Sequence, residues 1–125
     1  MRSALTPLEL DLLTSFCARY RALGFPQPSQ TWVVSRQNTG AGRFTYLDHE
    51  GCIQAPDGQL DLGRFSQFDM AGLEAGATFW VEVKQAKVVY LEIVVNGDRE
   101  WDGSEQPWVV ADPDTGELSA ARNAV

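Results

Sequence analysis

Apolar residues recur with helical spacing in the first fifth of the chain and with strand spacing through most of the rest. Leu8, Leu12, Phe16 and Tyr20 follow at intervals of four, and Leu13, Cys17 and Leu23 widen the same face. Glu9, Asp11, Ser15 and Arg19 fall mostly outside that stripe. Thr6-Pro7-Leu8-Glu9 supplies a threonine N-cap, proline at the first helical position and glutamate at the third, which is a capping box. Gly24 and then Phe25-Pro26 signal the stop. The pattern predicts an amphipathic helix over residues 7–23.

Beyond it the period falls to two. Residues 31–36 and 43–48 read as paired strands across a turn at 38–42. His49-Glu50-Gly51 reads as a turn, residues 52–55 as a short pairing segment, and Pro56-Asp57-Gly58 as another turn. Residues 59–76 carry no clean period and fit either a short helix or an irregular loop. Residues 78–84 and 88–95 form the clearest hairpin. A three-residue connection at 85–87 sets Phe79, Val81 and Val83 beside Val89, Leu91, Ile93 and Val95 on one apolar face. Trp80, Glu82, Lys84, Val88, Tyr90 and Glu92 then share the other face. Asn96-Gly97 is a strong hairpin turn, so residues 98–101 are expected to return antiparallel to the preceding strand. Residues 107–112 read as a further strand and 112–117 as a tight turn. The last eight or so residues lack a sustained apolar face and are expected to fray. The expected fold is a single α+β domain of two layers, with the N-terminal helix packed on a mostly antiparallel sheet of five or more strands.

The 125 residues suit one domain with one core. The net charge of −7 is concentrated. Between Asn96 and Glu117 seven carboxylates (Asp98, Glu100, Asp102, Glu105, Asp112, Asp114, Glu117) face one base, Arg99. Such a surface repels a phosphate backbone and draws in a basic protein, so nucleic acid is not an expected partner. No apolar run approaches the length of a membrane span, and polar Thr6, Pro7 and Glu9 interrupt any secretory-type apolar segment. A cytoplasmic protein without membrane contact is expected. Cys17 and Cys52 do not form a CxxC pair, and no disulfide is expected between them.

The chemistry-bearing residues point away from catalysis. Asp98, Glu100 and Asp102 alternate, so in an extended segment they share one face. Spread along a strand at about 3.3 Å per residue, they do not converge on one cation as a hard metal requires. The stretch 112–117 misplaces its glycine for a calcium loop and lacks the closing glutamate. His49, the only histidine, has no adjacent nucleophile with an orienting partner, although Cys52 lies three positions on. No phosphate-binding glycine motif occurs. No catalytic, metal or cofactor residue is assigned, and no cofactor is expected. The face bearing Trp80, Glu82, Tyr90 and Glu92 combines interface-prone aromatics with acids. Trp101 and Trp108 flank the same acidic segment as Asp98, Glu100 and Asp102. These nine residues are the candidate partner surface. Either the aromatic face is open, or another layer such as residues 59–76 covers it.

Two resemblances bear on this reading. Residues 72–83, "GLEAGATFWVEV", resemble the leucine–x–x–glycine–x–x–aromatic corner of fibronectin type III domains, with Phe79 where that corner has tyrosine. This implies only that Leu73 and Phe79 are core contacts around a turn. In size, acidity, its capped helix and its hairpin-rich remainder, with "EIVVNGDREWDG" the most distinctive string, the chain resembles small acidic bacterial toxin-immunity proteins. It equally resembles proteins carried in mobile gene cassettes. The expectation is a non-enzymatic binding protein that neutralises a basic partner or self-associates as a symmetric dimer. The alternative is a small-molecule binder or minor enzyme, with an apolar pocket between helix and sheet lined by Trp32, Phe44, Tyr46 and Trp80.

Overall fold

The computed structural model describes residues 2–111 and 115–118. It is an α+β fold in which one α-helix, α1 (Pro7–Arg19), packs against a seven-stranded antiparallel sheet. The strands are β1 (Thr31–Asn38), β2 (Gly42–His49), β3 (Gly58–Leu60), β4 (Gln67–Met70), β5 (Leu73–Lys84), β6 (Lys87–Val95) and β7 (Trp108–Val110). Their order is β1-β2-β6-β5-β4-β7, and β3 pairs with β5 beside β4. The expected fraying of the C-terminus and part of the 112–117 turn lie outside the described residues.

The capping box forms. Glu9 N–H donates to Thr6 Oγ1 at 3.2 Å, and Thr6 N–H donates to Glu9 Oε1 at 2.9 Å. The helix is shorter than its apolar pattern suggests. After Arg19 the chain tightens into a 3-10 turn, Arg21–Leu23, and turns at Gly24 with φ +76°. Gly24 N–H reaches the Arg21 carbonyl at 3.0 Å, so the terminal carbonyls are satisfied by a tighter turn and not by a longer helix. Leu8, Leu12, Leu13 and Phe16 are buried on the inner sheet face, where Phe16 meets Phe79 edge-on at 5.7 Å.

The central hairpin confirms Phe79 opposite Ile93 and Val81 opposite Leu91. It reaches that register differently. The connection has two residues, Gln85 and Ala86, both with positive φ (51° and 63°), and the pairing shifts between Glu82 and Val83. The shift leaves Val89 as the extra residue, so Val88 and not Val89 faces Val83 in the core. A bulge thus restores the phase that a three-residue connection would have supplied.

The remaining departures concern which strand finds which neighbour. Residues 98–101 do not return beside β6, because β2 and β5 already occupy both of its edges. They run as a loop, anchored where Trp101 N–H donates to the Gly40 carbonyl at 2.8 Å. Residues 52–55 form no strand. Ile53 N–H and Gln54 N–H instead donate to the Ala86 and Leu23 carbonyls, tying the hairpin turn to the helix end. Residues 59–76 supply β3, β4 and the start of β5, so they extend the sheet and do not lie across it. The fibronectin-like corner is absent as a corner. The turn falls at Ala71-Gly72, and β5 carries Leu73 and Phe79 on one strand, bulged between Leu73 and Ala77 where Gly76 has φ +68°. Both side chains do join the core, as the resemblance implied.

Candidate interaction face

Alternation along β2, β5 and β6 sends Thr45, Leu47, Phe79, Val81, Leu91 and Ile93 inward to the helix. Their neighbours project from the opposite, outer face. Cross-strand pairing arranges these in rows. Gln37, Phe44, Glu92 and Trp80 stand side by side across β1, β2, β6 and β5. The next row is Ser35, Tyr46, Tyr90, Glu82 and then Gln59 of β3. Trp32 lies on the same face beside Asp48. Trp32, Phe44, Tyr46, Trp80 and Tyr90 are all half-buried and keep part of their surface in solvent.

Three of these rings touch one another. Phe44 and Tyr46 stack at 6.0 Å, and Tyr90 meets them edge-on at 5.2 and 5.9 Å. At the rim the Arg2 guanidinium lies 3.8 Å from the Trp32 ring. Glu82 and Glu92 stand among these rings. Burial pushes the Glu92 carboxyl above the usual range; the Trp80 indole opposes that shift and the charge of Glu82 adds to it. Burial likewise raises the Tyr90 phenol, with Glu82 and Glu92 acting in the same direction. Among the described residues no Lys or Arg forms an ion pair with either glutamate.

Trp80, Glu82, Tyr90 and Glu92 thus lie together as the alternation required. Asp98, Glu100 and Asp102 are exposed on the loop after β6, away from this grid in sequence and not on a strand. Asp102 accepts from Ser104 N–H at 2.9 Å, and its bonds with Ser104 hold its carboxyl below the usual range. The two remaining tryptophans are core residues and not surface. Trp101 is 6 % exposed, with its indole N–H on the Ser104 carbonyl and its ring beside Arg43. Trp108 is 1 % exposed, and its indole N–H donates to Asp11 of α1 at 2.8 Å. Charged neighbours in sequence suggested exposure, but each indole donor found an acceptor, Ser104 three residues on for Trp101 and the distant Asp11 for Trp108.

Trp32, Phe44, Tyr46 and Trp80 do not line a pocket between helix and sheet. They are outer-face residues, and the helix–sheet space is filled by core side chains. A cleft of about 580 Å³ lies elsewhere, its lining including Met70, Leu73, Trp101, Glu100, Asp102 and Gln106.

A buried charge network went unread in the sequence. Glu9 is 0 % exposed. Its carboxylate accepts from Thr6 N–H, from Arg36 at 2.7 and 2.9 Å and from the Thr45 hydroxyl at 2.7 Å. Arg43, 5 % exposed, lies 3.3 Å from Glu9 and donates to Glu105 at 2.9 Å, while its Nε–H has no partner. Burial acts to raise the Glu9 carboxyl, yet these donors together hold it below the usual range. His49 is also structural. Its Nε2 accepts from Val88 N–H at 2.9 Å, so Nδ1 carries the proton and donates to the Glu50 carbonyl at 3.0 Å. Burial lowers its pKa. The capping glutamate was the one sequence signal for the network; the arginines gave none.

Cys17 and Cys52 are free. The Cys17 thiol donates to the Pro26 carbonyl, and burial pushes it up to about 11. Among the described residues no group of three or more metal-binding side chains converges, and no helix is long and apolar enough to cross a membrane. Comparison with protein-family models, curated proteins and solved structures finds no match.

Proposed function

We propose that this is a non-catalytic binding protein whose outer sheet face takes a basic segment of a protein partner. One observation carries the reading: Glu82 and Glu92 stand among Phe44, Tyr46, Trp80 and Tyr90 without a cationic partner among the described residues. Two like charges on partly desolvated ground repel each other, and an incoming cation relieves that repulsion while its apolar stem covers the rings. The exposed carboxylates at Asp98, Glu100 and Asp102 add to the field that steers such a partner. The bonding of both His49 ring nitrogens supports a binding role over acid–base chemistry.

Calorimetric titration with octa-lysine, against octa-glutamate as control, tests this. Octa-lysine should bind and octa-glutamate should not, with affinity falling roughly tenfold or more between 50 and 500 mM salt. Glu82→Gln with Glu92→Gln should weaken binding more than neutralising Asp98, Glu100 and Asp102. Absence of binding, or binding carried wholly by the loop carboxylates, would remove the reading. A second reading, a small-molecule site, is favoured by the cleft that Glu100 and Asp102 help to line. A ligand that raises the melting temperature of wild type but not of Leu73→Trp, which fills the cleft, would support it.

A further inference from the structure

Resting on that reading, we propose that Trp80, Glu92, Glu82 and Tyr90 form a seat for a single arginine side chain of the basic partner. Trp80 stands directly opposite Glu92, and Glu82 directly opposite Tyr90. Within each strand the ring and the carboxylate are two residues apart, so all four project from one face. The result is a square with carboxylates on one diagonal and rings on the other. Diagonal neighbours in an antiparallel pair are separated by roughly 7 Å, which leaves room for one flat group between them.

A guanidinium matches that square in a way an ammonium does not. It is planar, carries N–H donors on opposite edges, and stacks its faces on aromatic rings. Set in the centre, it reaches Glu82 with one edge and Glu92 with another while lying against Trp80 and Tyr90. A lysine ammonium offers a compact, strongly hydrated charge that cannot engage both diagonals at once. The same face already holds one arginine on one tryptophan, Arg2 over Trp32 at 3.8 Å. Phe44, edge-on to Tyr90 at 5.2 Å and opposite Glu92, walls the square on the β2 side.

The test is fluorescence anisotropy with labelled octa-arginine and octa-lysine on the full chain at fixed ionic strength. Wild type is compared with E82Q/E92Q, W80A and the loop variant D98N/E100Q/D102N. Octa-arginine should bind wild type roughly fivefold or more tighter than octa-lysine. That preference should collapse in E82Q/E92Q and in W80A and persist in the loop variant. The glutamine pair preserves side-chain shape, so it reports even where W80A loses stability. Equal affinity of the two peptides for wild type overturns the arginine seat and leaves the basic-partner reading standing. A preference that survives E82Q/E92Q overturns it too. Binding of neither peptide overturns both.

Discussion

Replacing Glu9 by glutamine keeps the size of the side chain and removes one negative charge from a site that is fully buried. Three consequences follow. Arg36 loses a two-point contact at 2.7 and 2.9 Å. Arg43, buried and already missing a partner at Nε, loses the carboxylate at 3.3 Å and keeps Glu105. The glutamine amide also turns donors toward donors: wherever its NH2 points, it meets Thr6 N–H and Arg36 Nη2 on one side or Arg36 Nε, Arg43 and the Thr45 hydroxyl on the other. Removing one partner of a buried ion pair costs about 3–5 kcal/mol, because the other charge stays buried. Retention of Glu105 and partial exposure of Arg36 place the expected loss near the lower end, about 3 kcal/mol. For a chain of this size that is roughly 10 °C in melting temperature.

Urea denaturation gives the magnitude, and its pH dependence gives the cause. The folded Glu9 carboxyl is held below its ordinary value of 4.5. As pH falls, the unfolded chain therefore takes up the proton first, and stability present above about pH 5 drains away toward the lower folded value. E9Q should lose stability at neutral pH and flatten the profile below pH 5. A neutral-pH loss under about 0.5 kcal/mol, the size of an ordinary surface change, would mean that the Glu9 charge does not hold the two arginines.

Changes at His49, Gly42 and Ala86 test three other features of the fold. His49→Ala leaves the buried Val88 N–H without an acceptor and should cost about 1–3 kcal/mol by urea melt. In the wild type the lowered His49 pKa means the unfolded state protonates first, so stability should decline as pH falls below the ordinary value of 6.5; His49→Gln should flatten that slope. Gly42→Ala sets a Cβ 1.8 Å from the Ile93 carbonyl oxygen, forcing β2 and β6 apart at a cost of about 1–3 kcal/mol or more, visible as a lowered urea midpoint. Ala86→Gly removes a left-handed alanine from the β5–β6 turn and should raise stability by about 0.5 kcal/mol, with a lower value than wild type counting against the turn geometry.

Local signals carried the fold class and its best-defined pieces. A capping box acts over three residues, so Thr6 and Glu9 marked the helix start without reference to anything distant. Period-two alternation acts along one strand, so Phe79, Val81, Leu91 and Ile93 declared one buried face, and Trp80, Glu82, Tyr90 and Glu92 the other. Competition between segments was not legible. Asn96-Gly97 is a sound turn signal, yet residues 98–101 had no edge to join once β2 had paired with β6. Residues 59–76 became strands because β5 is long enough to hold β3 and β4 along one edge, whereas four residues of alternation at β4 are too few to announce themselves.

Burial of polar groups was decided at the same level. Nothing near Glu9 in the chain says that Arg36, Arg43 and Thr45 will arrive to satisfy its oxygens, and without them a carboxylate cannot be buried. Trp101 and Trp108 looked exposed beside their acidic neighbours until Arg43 came over the ring of the first and Asp11 supplied an acceptor for the indole of the second. Local spacing and composition set the helix start, the inward and outward faces of the central hairpin and the excess of acid. Tertiary structure alone chose strand neighbours and hydrogen-bond partners, because those depend on which groups meet across the fold and not on spacing along the chain.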